Sequence, residues 1–89
     1  MILCDETVLR LSDGVKGREE KFGLLIISRT TPALCLNTDG KFVFNMIDGQ
    51  RSIAEIIGAT NEEYEGDARE KVYELLQSFV DLQLCELVS

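Results

Sequence analysis

Carboxylates and thiols are the side chains in this sequence with the most chemical potential. Glu62, Glu63, Glu65 and Asp67 form a charge run, and paired carboxylates are a common source of acid–base chemistry. This run stands directly ahead of a capped helix pattern, where acids usually form a solvated loop. The chain has no histidine, the side chain that most readily moves protons near neutral pH. Cys35 therefore has no imidazole to activate it, and nothing around it in the sequence is strongly basic. Cys4, Cys35 and Cys85 are odd in number, widely separated and free of any C-x-x-C spacing, so three free thiols are expected. A closed zinc site would need a carboxylate as its fourth ligand. The expectation is a protein that is not an enzyme and holds no metal or cofactor.

Charge separates the remaining classes. Lysine and arginine total 9 against 16 aspartates and glutamates, for a net charge of −7. Up to Ile47 acids and bases balance, six of each; from Asp48 onward ten acids face only Arg51, Arg69 and Lys71. Duplex DNA binding draws most of its affinity from cations placed on phosphates. A helical half this acidic makes a DNA-binding winged-helix regulator the weaker alternative, and no nucleic-acid partner is expected. The longest apolar run, Leu24 to Ile27, is far short of the roughly 20 residues that cross a bilayer. The acids Asp5 and Glu6 oppose the basic start of a signal peptide, so a cytoplasmic location without membrane contact is expected.

The elements that would position a site follow from periodicity. With 89 residues, one domain spanning 1–89 is expected. Leu24-Leu25-Ile26-Ile27, bounded by Gly23 and by Ser28 to Pro32, reads as a central strand buried on both faces. Val15 to Lys21, with its charged run Arg18-Glu19-Glu20-Lys21, reads as one edge, and Ala33 to Leu36 as the other. Val8 to Leu11 is a further strand-like piece before the Asp13-Gly14 turn. Beyond Asn37 the period becomes helical. Asn37 or Thr38 caps a helix with apolar positions Phe42, Val43, Met46 and Ile47, stopped by Gly49. Ser52-Ile53-Ala54-Glu55 is a capping-box pattern opening a helix that Gly58 closes. Asp67-Ala68-Arg69-Glu70 is a second such pattern, opening a helix from Ala68 to Leu82. Its core stripe is Ala68, Val72, Leu75, Phe79 and Leu82. Leu84 to Val88 returns as an extended tail. The fold class is α+β, a three-stranded antiparallel sheet followed by three helices in a helix-turn-helix order.

The two sheet edges differ in a way that bears on binding. Arg18 to Lys21 is charged, which blocks pairing with other chains. Ala33, Leu34, Cys35 and Leu36 carry no charge at all, and an unprotected edge can accept an extended peptide as an added strand. Otherwise that edge is covered by the N-terminal strand, or by a second copy of the protein in a homodimer.

Leu36-Asn37-Thr38-Asp39-Gly40, followed by Ile47-Asp48-Gly49-Gln50-Arg51-Ser52-Ile53-Ala54-Glu55-Ile56, resembles the hallmark of the PqqD-like proteins. That hallmark is a strand ending Leu-Asn, a helix, Asp-Gly, then Arg-Ser or Arg-Thr before a Glu-Ile helix. Val15 to Glu20 is similar to the family's opening strands, and Phe22-Gly23-Leu24 resembles its mycofactocin-type branch. The resemblance covers roughly residues 8 to 85. It implies a winged-helix chaperone that binds the leader segment of a ribosomally made precursor peptide and presents it to a modifying enzyme, often a radical SAM enzyme. It also implies a peptide lying between the third sheet strand and the last helix. On that helix Arg69, Tyr73, Leu76 and Val80 follow i, i+4, i+7, i+11, a stripe beside the expected core stripe. Together with Ala33 to Leu36 they are the expected peptide-binding residues.

Overall fold

A computed structural model describes residues 3–29 and 31–88; Met1, Ile2, Thr30 of the Ser28–Pro32 turn, and Ser89 lie outside it. In chain order the elements are β1 (Leu9–Leu11), β2 (Lys16–Glu20), β3 (Gly23–Ile27), β4 (Leu34–Leu36), α1 (Thr38–Asn45), α2 (Ile53–Glu63), α3 (Arg69–Asp81) and β5 (Cys85–Leu87). The expected three-stranded antiparallel sheet followed by three helices is present, in the order β2-β3-β4. A second, two-stranded sheet joins β1 to β5, with Leu9 opposite Leu87 and Leu11 opposite Cys85. The strand-like N-terminal piece thus leaves the main sheet and pairs with the C-terminal tail. Arg10 and Glu86, opposite one another, form an ion pair at 2.8 Å.

β3 is not buried on both faces. Leu24 and Ile26 are in the core, whereas Leu25 is half-buried and Ile27 is 44% exposed. Helix α1 covers one face of the sheet; on the other, Leu25 has only Arg18 and Cys35 as its cross-strand neighbours. Both of those are exposed. The continuous apolar run therefore hides an ordinary period-2 alternation. Gly23, at φ +146° after the β2–β3 turn, is required twice over. No L side chain favours that φ, and a Cβ there would collide with the Leu36 carbonyl where β4 ends.

The helix starts follow local chemistry. Asn37 caps α1, its Oδ1 accepting from the Gly40 amide at 2.9 Å. Val43 and Phe44 point into the core, while Phe42 is half-buried with its ring edge-on to Tyr64. Gly49 does not terminate α1, which ends at Asn45; it sits at φ +78° in the following turn. There Asp48 Oδ1 accepts from the amides of Arg51 and Gln50, at 2.8 and 2.9 Å, and these bonds lower the Asp48 pKa. The Ser52–Glu55 capping box forms in both directions, at 3.3 and 2.9 Å. Gly58 does not close α2, which runs on to Glu63. An exposed helical glycine costs only about 1 kcal/mol, and burial of Ile53, Ile56 and Ile57 on the same helix far outweighs it.

The second capping box is not realised. Ala68 is the N-cap of α3 and makes no side-chain cap bond. Asp67 Oδ1 instead accepts from the nearby Arg69 amide at 3.0 Å, and Asn61 Oδ1 accepts from the Ala68 amide at 2.7 Å. At the far end Gln83 adopts φ +62°. Its amide donates to the Val80 carbonyl at 3.0 Å and the Leu84 amide donates to the Phe79 carbonyl at 2.8 Å. This is a Schellman closure with glutamine where glycine is usual, and it turns the chain directly into β5.

Candidate peptide-binding site

β4 lies at an open margin of the sheet. On its inner side Leu34 faces Ile26, Cys35 faces Leu25 and Leu36 faces Leu24. On its outer side no strand pairs with it, and no backbone hydrogen bond beyond its pairing with β3 involves Leu34, Cys35 or Leu36 among the described residues. Backbone groups of an antiparallel strand alternate in direction, so part of this edge presents free donors and acceptors. The N-terminal strand, one of the two covers expected for this edge, is engaged with β5 instead. Leu36 is buried, Leu34 half-buried and Cys35 exposed on the opposite face, while Ala33 is exposed just before the strand. The other margin, β2, is dressed with charge: Arg18 pairs with Glu20 at 2.7 Å, and Glu19 pairs with Lys41 of α1.

The end of β4 leads into a groove of about 350 Å³ between the start of α1 and one side of α3. Asn37, Asp39 and Gly40 line one wall, and Lys71, Glu74, Leu75 and Ser78 line the other. This corrects the expected helix faces. The buried residues of α3 are Val72, Leu76 and Phe79. Leu76 is 0% exposed, in the middle of the core and not on a second, available stripe. Leu75 and Leu82, expected in the core, lie outside it: Leu75 is half-buried on the groove wall, and Leu82, further along the same stripe, is 38% exposed. Val72 and Phe79 are in the core as expected, and Leu76, not Leu75, is the core residue between them. A run of Val72, Tyr73, Leu75, Leu76, Phe79 and Val80 offers two overlapping apolar faces, and periodicity alone does not say which turns inward.

Arg69, Tyr73 and Val80 are on the side of α3 away from that groove. Arg69 donates to both oxygens of Asp5 at 2.8 Å, and the Tyr73 hydroxyl donates to the same carboxylate. Hydrogen bonds from Arg69 and then Tyr73 hold the Asp5 carboxyl far below the usual carboxylate range, and the Asp5 partner raises the Tyr73 pKa. The pair closes the N-terminal segment over the helices, where the Ala54 amide donates to the Asp5 carbonyl and the Ile53 amide to the Thr7 carbonyl, at 3.0 and 2.9 Å. Val80 faces a separate crevice with Val15, Ser28 and Leu87. The structure thus brings Ala33 to Leu36 to an open edge and sends the four expected helix residues elsewhere. Lys71, Glu74, Leu75 and Ser78 are the groove residues that sequence reasoning missed. The signal available for them was their own i, i+3, i+4, i+7 spacing.

Cys4 and Cys35 are exposed and Cys85 is buried, all three as free thiols. Burial pushes the Cys85 thiol up to about 12, which keeps it protonated and inert. Among the described residues no helix is long and apolar enough to cross a membrane.

Fold and site together define an α+β module with one unprotected strand edge beside a helix-walled groove. The sequence pattern of the family described as Coenzyme PQQ synthesis protein D (PqqD) matches residues 25–84, and the chain belongs to that family. The match is to the family and does not single out the mycofactocin-type branch. Among solved structures, the chain is similar to TbiB1 in complex with the TbiA(beta) leader peptide. The TM-score is 0.78 at 18% identity, over 90% of this chain and 98% of that one. At that identity the likeness carries the fold. No curated protein matches the sequence significantly.

Proposed function

We propose that this protein is a non-catalytic chaperone that binds the leader segment of a ribosomally synthesised precursor peptide and presents it to a modifying enzyme, a radical SAM enzyme being the first candidate. The observation that carries this reading is the outer edge of β4, uncharged and without a backbone partner among the described residues, opening beside the groove between α1 and α3. An extended peptide added there gains main-chain hydrogen bonds from Leu34 to Leu36 and side-chain contacts from Leu75 and its neighbours. Membership of the PqqD family supports the same reading, as does the leader peptide bound by TbiB1, a protein of the same fold. The chaperone acts by holding and orienting the peptide, with no cofactor of its own, and works in the cytoplasm where precursor and enzyme are made.

The test is amide shift mapping during titration with the leader of a short precursor encoded beside this gene. Binding should perturb Leu34, Cys35, Leu36, Lys71, Leu75 and Ser78. Perturbation confined to Lys16 to Glu20 would move the site to the opposite edge and sink the proposal. Sedimentation of the free protein decides whether a homodimer covers β4 in the absence of peptide.

A further inference from the structure

Beyond the groove the same surface continues into a cleft of about 200 Å³ between α1, the α2–α3 connection and α3. Groove and cleft share Asp39, Lys71 and Leu75, so they adjoin as a channel along α3 from Ala68 to Ser78. The cleft is apolar at its base, where Val43 and Val72 are buried and Tyr64, Ala68 and Leu75 are half-buried. Its mouth is acidic, with Asp39, Glu65 and Asp67 against Lys71 alone. None of those three carboxylates takes part in an ion pair among the described residues. Asn61 and Asp67 take the Ala68 and Arg69 amides at the start of α3, and the surplus of carboxylates at the mouth disfavours an anion.

We infer that this cleft anchors a bulky apolar side chain of the bound peptide, with a lysine or arginine next to it facing the carboxylates. This rests on the leader-binding reading above and adds the chemical class of leader that the site selects. Strand direction fixes where the anchor lies. β4 runs toward Asn37 and the channel, and the whole sheet is antiparallel. A peptide added in the commoner antiparallel sense has its N-terminal end beside Leu36. Its anchor residue therefore precedes the segment paired with β4. A volume of about 200 Å³ accommodates one leucine-, phenylalanine- or tyrosine-sized group and little else. The uncompensated carboxylates at the mouth favour a cation and disfavour an acid at the adjoining position.

The experiment pans a library of random peptides, each about 16 residues long to span β4 and the channel, on the immobilised full chain. The best binder is then measured by calorimetry and amide shift mapping. Selected peptides should share a large apolar residue flanked by lysine or arginine, upstream of an extended segment. Changing that apolar residue to alanine in the peptide should weaken binding about ten- to a hundredfold, the worth of one buried apolar side chain. Changing its basic neighbour to glutamate should weaken binding by about two- to fivefold, as for a surface charge pair, and Glu65→Lys in the protein, which leaves two carboxylates against two lysines at the mouth, should abolish that preference. Both peptide changes leave the protein untouched, so no folding defect enters. If the peptide shifts Leu34 to Leu36 but not Val43, Tyr64 or Val72, and tolerates alanine at every apolar position upstream, the anchor is overturned while leader binding stands. A library that yields no binder, or binders seated on β2, overturns both.

Discussion

Asp5 and Arg69, 64 positions apart in the chain, meet in a two-point ion pair with both oxygens of the carboxylate 2.8 Å from the guanidinium. The Tyr73 hydroxyl completes the arrangement, and the Arg69 guanidinium lies 5.8 Å from the Tyr73 ring centre. The contact belongs to the fold and not to the peptide site. It fastens the N-terminal segment, including buried Leu3, across α2 and α3.

Acid should undo this fastening. The Asp5 carboxyl has a lower pKa folded than unfolded, so the unfolded chain binds the extra proton and stability rises with pH in that range. The contribution is complete above the unfolded value near about 4 and is lost as pH falls below it. Thermal melts from pH 2 to 7 should show Asp5→Asn less stable than the parent at neutral pH, the two converging in acid. Parallel curves across the whole range would remove the ion pair from the account.

Leu76 and Leu75 should behave oppositely although they are adjacent. Leu76→Ala opens a cavity beside Val72 and Phe79 in a fully buried site and should cost about 2 to 5 kcal/mol in denaturant melts. Leu75→Ala, on the groove wall, should cost about 1 kcal/mol or less and should weaken peptide binding measured by calorimetry. Equal stability losses would return Leu75 to the core and remove it from the site.

Gln83 holds a left-handed backbone conformation at the end of α3, which costs a side-chain-bearing residue about 1 to 2 kcal/mol. Gln83→Gly should relieve that strain and, after the entropy lost by glycine, stabilise the protein by about 0.5 to 1 kcal/mol. Chemical denaturation is the measure, and a destabilised variant would show that the glutamine side chain contributes more than its backbone costs.

Alkylation of the native protein without reductant should label Cys4 and Cys35 quickly and Cys85 only on unfolding, as exposure and the raised Cys85 pKa require. Bound leader peptide should slow the reaction at Cys35 and leave Cys4 unchanged. Mass measurement of digested protein separates the three positions, and equal rates at all of them would contradict the burial of Cys85.

What the sequence determined by itself was local in origin. The Asn37 cap and the Ser52–Glu55 box are interactions between residues three apart, and the strands flanking Gly23 follow from a charged run and a short apolar run. The uncharged Ala33–Leu36 edge was equally legible, because charge is a property of residue type. Tertiary packing decided the rest. It paired β1 with β5 across nearly the whole chain, and it carried α2 past Gly58, where burial outweighs a weak helix former. It also turned Leu76 inward and Leu75 toward the groove. Leu75 and Leu76 are the same residue type at adjacent positions of α3, and either fits a helical period with Val72 and Phe79. Only the position of α1, the sheet and the N-terminal segment held by Asp5 settles that Leu76 meets the core and Leu75 is left facing the groove.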